Sequence, residues 1–217
     1  HVTEANIWRV SGEINTAIQN ARPGDTVLVA PGTYNEQIRL RDGISVVSER
    51  PRGATLRASA VAVTGDDLRS ARLQGFRIQP DDNMYLQTGI QLTGSRAEIV
   101  DNEITGTVTA GIELQNSPET LLLANTVIAR SRAAVVIGGD GQGPRLSGNY
   151  LAAQSDPAIR VTGPARPSIT GNTIRAADPL FLPPGQKPEE LLRSNIVLSP
   201  EGKDKAPTRG NAPARVR

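Results

Sequence analysis

The chain has 217 residues, with 24 basic and 22 acidic side chains, one histidine and no cysteine. The absence of cysteine removes disulfide frameworks, thiolate chemistry and cysteine metal sites, and a scattered, nearly balanced charge gives no argument for nucleic acid. Aromatics are 3% against 37% hydrophobic residues, so the core must be thin layers of Val, Ile, Leu and Ala; no apolar run is long enough for a transmembrane helix.

The first expected element is a helix over residues 12–21. Ile14, Ala17, Ile18 and Ala21 fall on one face, Ser11 is the candidate N-cap, and Pro23-Gly24 stops the pattern. Short strands are expected next at 25–30, 36–40, 44–47, 54–58 and 61–63. A helix before a run of strands has a physical role, since it covers the open end of a stacked core.

From residue 76 onward the chain is periodic. Asn102, Asn125, Asn149, Asn172 and Asn195 each stand between aliphatic positions, 23 or 24 residues apart. A second aliphatic motif recurs between them, in "GIQL", "GIELQ", "AVVI", "AIRV" and "LFL", led by Ile90, Ile112, Val135, Ile159 and Leu180. Alternation over three to five residues is strand periodicity, and a fixed period of this size means a repeat architecture. Three short strands per repeat with no helix between them give an all-β chain, a right-handed parallel β-helix in which each strand pairs with its counterpart one coil on. Ile104, Val127, Leu151, Ile174 and Val197 form a second inward column. The asparagines are expected to stack as a ladder at a tight turn, tolerating left-handed backbone angles and bonding one another. Phe76 occupies the same slot one coil earlier and closes the ladder. The repeat ends near residue 198, so the expected domain is 1–198, with 199–217 a polar, Pro- and Gly-containing tail or linker.

The stretch "AIQNARPGDTVLVAPGTYNEQIRL" (17–40) resembles the entry of right-handed parallel β-helix proteins of the pectin lyase-like superfamily. Ala21, Gly24, Asp25, Thr26, Val27, Val29, Pro31, Gly32, Tyr34 and Glu36 carry the likeness, and the later Gly-Ile-x-Leu and Asn-x-Ile units resemble the generic β-helix repeat. The resemblance implies the fold, and activities that are mainly polysaccharide lyase, hydrolase or esterase. The polygalacturonase-type motifs are incomplete. Asp81-Asp82 is an acidic pair on a loop, and the single histidine, His1, precedes the fold. The outward column of the Gly-Ile-x-Leu strand reads Gln91, Glu113, Val136, Arg160 and Phe181, with one carboxylate, whereas glycosidic acid–base chemistry wants two held across the bond.

The expectation is therefore a recognition, sensor or scaffold module without catalytic residues, cofactor or metal, extracytoplasmic and part of a larger protein. Segments resembling this one are joined to bacterial receptor-like kinases. The alternative is a carbohydrate-active enzyme with an atypical site. Expected partners are a polysaccharide or another protein, with no nucleic acid and no membrane insertion. Ligand-binding candidates are Asp81, Asp82 and Tyr85 on the long 79–88 turn, with Gln91, Glu113 and Arg160 on the exposed column. Tyr85 would stack on a sugar ring. The 138–145 and 181–190 segments are the other long turns, and Arg130 and Arg132 flank a turn where an anion could bind.

Overall fold

The computed structural model describes residues 4–200. His1 and the expected tail beyond Pro200 lie outside the described residues.

The aliphatic alternation folds as read. Strands stack into three parallel sheets, with eight strands in the first, eight in the second and seven in the third. The chain visits the sheets in turn, so each internal coil adds one strand to each sheet and neighbouring strands are a coil apart. In the third sheet Ile90, Ile112, Val135, Ile159 and Leu180 lie in one register column, and in the second Ile104, Val127, Leu151, Ile174 and Val197 do the same. These columns and a third, Val27, Val46, Leu73, Ile99, Leu122, Leu146 and Ile169 in the first sheet, fill a narrow core; the exception is Val197, expected inward but 45% exposed, because its strand is the last of its sheet and no further coil covers it. Adjacent coils lie about 4.8 Å apart.

At the corner leading into the second sheet, the Oδ1 of each ladder asparagine accepts the backbone N–H of its predecessor in the column. Phe76 donates to Asn102, Asn102 to Asn125, Asn125 to Asn149, Asn149 to Asn172 and Asn172 to Asn195, at 2.9–3.0 Å. Each Nδ2 in turn donates to a carbonyl of the neighbouring coil, as Asn149 does to Leu122 at 2.9 Å. The left-handed backbone, however, belongs to the residue before each of the first four asparagines: Asp101, Ala124, Gly148 and Gly171 all have positive φ. The asparagine itself opens the strand, and its contribution is the amide. Phe76 is fully buried, and its N–H is the last donor of the column. A second polar column, of hydroxyls, lies at the corner between the third and first sheets. Ser117 Oγ accepts the Ser95 N–H at 3.0 Å, and Ser95 Oγ accepts that of Leu68 at 3.2 Å.

Both ends are covered. Helix α1 spans Ile14–Asn20, shorter than the expected 12–21, and buries Ile14, Ala17 and Ile18 against the first coil. Ser11 is not its cap. Glu13 stands at that position in the left-handed region without a side-chain cap bond. The free N–H groups of Ile14 and Asn15 are accepted by the Glu36 carboxylate instead, at 3.0 and 3.2 Å. At the other terminus the Arg41 guanidinium donates to the carbonyls of Ile18, Gln19 and Ala21. An acid at the N-terminus and a cation at the C-terminus both complement the helix dipole.

An unforeseen strand, Ile7–Val10, pairs with Thr26–Val29 and puts Trp8 at the end of the first-sheet column. Asp25, almost fully buried, binds this strand to the fold by accepting the N–H groups of Asn6 and Arg22, each at 2.8 Å, and the Trp8 indole at 2.9 Å. At the far end the expected 181–190 turn gives way to helix α2, Pro188–Leu192, with Leu191 and Leu192 against the core. The last ladder residue, Asn195, donates to the Leu191 carbonyl at 2.8 Å and ties helix to ladder.

Candidate functional site

The Gly-Ile-x-Leu strands build the outer face of the third sheet. Their glycine is a packing requirement: a Cβ on Gly111 would stand 2.1 Å from Val127 and 2.6 Å from the Ala134 carbonyl oxygen. With that corner closed, the following residues alternate inward and outward, and the register column Gln91, Glu113, Val136, Arg160 and Phe181 faces out.

Over three successive coils this face is hollowed into an open groove of about 660 Å³, lined by Thr109, Glu113, Arg132, Val136, Asp156 and Arg160 among others. Arg160 is held twice. Its Nη2 is 3.6 Å from the Asp156 carboxylate, four residues back, and its guanidinium carbon lies 4.9 Å from the centre of the Phe181 ring, a cation–π contact. Glu113 and Arg132 have no ion-pair or side-chain hydrogen-bond partner among the described residues, so the groove presents one free carboxylate and one free guanidinium beside a prearranged Arg–Asp pair. Such an arrangement can take a ligand rich in hydroxyls, with donors and acceptors on both walls.

Of the residues singled out by sequence, Glu113 and Arg160 line this groove. Gln91 is beside Glu113 in register but is not part of the lining. Asp81, Asp82 and Tyr85 stand together on the turn between Phe76–Pro80 and Leu86–Thr93, one coil earlier. The Asp82 carboxylate is gripped by both Nη atoms of Arg57, and Asp81 Oδ1 accepts the Asn83 N–H at 3.0 Å. Tyr85 is 68% exposed, next to an exposed Met84. The turn abuts the groove's first coil, since the Gln87 carbonyl accepts the Thr109 N–H at 2.9 Å.

Asp156 was not foreseen. Its only sequence signal is a Ser-Asp-Pro turn just before the "AIRV" strand, and nothing local says that this turn overhangs the Glu113 column. The 138–145 segment is mostly strand, leaving only 139–141 as the turn. Among the described residues no three His, Asp or Glu side chains converge as a metal site, and no helix is long and apolar enough to cross a membrane.

Stacked parallel coils with an interior amide ladder and a groove on one outer face define a right-handed parallel β-helix. Residues 85–179 match the family described as "Right handed beta helix region", and the chain folds as a right-handed parallel β-helix, the fold implied by its resemblance to the pectin lyase-like superfamily. Among solved structures it is similar to a pectin methylesterase mutant in complex with a hexasaccharide, at 15% identity and a TM-score of 0.47, over 82% of this chain and 68% of that one. No curated protein matches the sequence.

Proposed function

We propose that this chain is a recognition module that holds a polysaccharide strand in the groove over the third sheet without cleaving it, and that it works outside the cytoplasm as a sensor or scaffold part of a larger protein. The observation that carries the reading is the groove itself. It is open, spans three coils, and combines the free Glu113 and Arg132 with the Asp156–Arg160 pair. An extended ligand running along the coils would meet Gln91 and the Tyr85 turn at one end and Phe181 at the other, and exposed aromatic rings are natural stacking surfaces for sugars. Asp156 is already engaged by Arg160, which leaves Glu113 as the one unpaired carboxylate, and cleavage of a glycosidic bond needs two working ones.

The test measures binding and turnover together. Pectate, pectin, alginate and hyaluronan are offered with and without calcium, and affinity is read beside reducing-sugar and unsaturated-product release. Binding that weakens on Arg132→Ala, with product at background, is the expected result. No binding to any of the four would overturn the reading.

A second reading, a carbohydrate-active enzyme, is favoured by one observation: Glu113 and Asp156 line the same groove from different coils, together with Arg132 and Arg160. Turnover abolished by Glu113→Gln or Asp156→Asn would make this the working assignment.

A further inference from the structure

A different face carries a second charged recess. It lies over the first sheet and the corner that leads into it, has a volume of about 490 Å³, and is lined by Arg69, Arg72, Arg96 and Arg145 together with Glu98 and Glu119. The four guanidinium groups come from three different coils. Arg72 and Arg145 are in one outward register column, separated by Glu98 and Leu121, which puts their strands about 14 Å apart at the usual interstrand spacing.

Three of these arginines pair with exposed acids, and Arg72 Nε also donates to Gln74 Oε1 at 2.9 Å. Arg72 is 2.8 Å from Glu98, Arg96 2.9 Å from Glu119 and Arg69 3.5 Å from Asp42, and the partners are solvent-exposed. Exposed ion pairs contribute little and exchange readily. Arg145 has no acidic partner among the described residues, although it faces into the recess. The chemistry is that of guanidinium alone: Lys187 is the one lysine among the described residues and lies elsewhere. Arginine forks recognise planar or tetrahedral oxyanions with two parallel hydrogen bonds. Ser45 and Ser70 on the same walls add hydroxyl partners, and no aromatic side chain lines the recess. Stacking platforms for bases are therefore missing, while sugar hydroxyls and repeated oxyanions are both matched.

We infer that this recess is a second binding site, for a glycan chain carrying sulfate or carboxylate groups, distinct in face and in chemistry from the groove over the third sheet. Spaced arginines on stacked coils read a ligand with repeating anionic groups along its length, and a multivalent ligand displaces Glu98 and Glu119 from their partners one pair at a time.

The experiment offers the chain immobilised dextran sulfate, polygalacturonate, neutral dextran and single-stranded DNA at low and high ionic strength. The expected result is salt-sensitive binding to dextran sulfate or polygalacturonate, with little binding to neutral dextran; which of the two binds more tightly identifies the oxyanion. The double variant Arg96→Ala/Arg145→Ala should lower that affinity at least about tenfold, with unchanged thermal unfolding because both side chains are at the surface. All of these measurements are made in an Arg132→Ala background, so that polygalacturonate held in the other groove does not contribute and a failure here is separable from a failure of the polysaccharide groove. Equal retention on neutral dextran, or binding indifferent to the double arginine variant, would overturn the site. DNA binding as tight as glycan binding, and equally sensitive to the variant, would overturn the ligand class.

Discussion

The side-chain oxygen of Asn149 accepts two hydrogen bonds from Asn125, one from its backbone N–H at 2.9 Å and one from its Nδ2 at 3.0 Å. Asn149 repeats the arrangement as donor to Asn172. One buried amide thus satisfies groups in two neighbouring coils. Asn149→Ala takes the acceptor from the Asn125 N–H and the donor from the Leu122 carbonyl, while Asn125 Nδ2 keeps its bond to the Ile99 carbonyl, and should destabilise the chain by about 3 kcal/mol. A urea titration against the parent reads this directly, and a loss below about 1 kcal/mol would mean that water replaces the amide.

Ala124 occupies, at φ 56°, the left-handed position that glycine fills in the next two coils. A Cβ there is strained, and Ala124 is exposed, so it contributes no packing. Ala124→Gly should stabilise by about 0.5–1 kcal/mol, relief of the left-handed strain exceeding the entropy cost of glycine. The thermal midpoint is the measurement.

Thr107 is fully buried, and its hydroxyl has no hydrogen-bond partner. Replacing the hydroxyl by a methyl group removes an unmet polar group from the core. Thr107→Val is expected to gain about 1 kcal/mol; a loss would show that the hydroxyl is satisfied in solution.

Asp25 has its pKa lowered to about 2 from 3.8, chiefly by the Arg22 and Asn6 backbone N–H groups and then by the Trp8 indole. Its folded pKa is below its unfolded one, so its contribution is complete above about pH 4 and is lost as pH falls towards 2. Trp8 is the chain's one tryptophan, so its fluorescence should follow this titration while far-UV dichroism stays constant. Asp25→Asn should abolish the acid limb in that window and loosen Ile7–Val10 at neutral pH.

Helix α1 depends on residues outside itself. Glu36→Ala and Arg41→Ala should each cost about 1 kcal/mol, because each strips one end of the helix of its partner. Removing residues 1–22 uncovers the first coil, and should yield aggregates in size-exclusion chromatography.

The core columns were legible residue by residue, because Ile90 and Ile112, or Ile104 and Val127, meet at the interval at which they recur in the chain. The two caps were read unequally. The amphipathic face of α1 announces itself, whereas α2 has five residues and too little periodicity to be seen. At the candidate sites the Glu113–Arg160 column was visible and Asp156 was not, and the engagement of Asp82 by Arg57 depends on two residues 25 positions apart.

What the sequence determined by itself is whatever repeats: the coil length, the three sheets, the inward columns and the placement of the asparagines. Stacked coils make each residue's neighbour its own counterpart one period away, so a one-dimensional pattern is enough. Only the tertiary structure decided which side chains share the grooves, with Asp156 over the Glu113 column and Arg145 in line with Arg72. Those meetings are made at corners and on outer faces, where turn lengths vary from coil to coil and no period constrains which charge comes beside which.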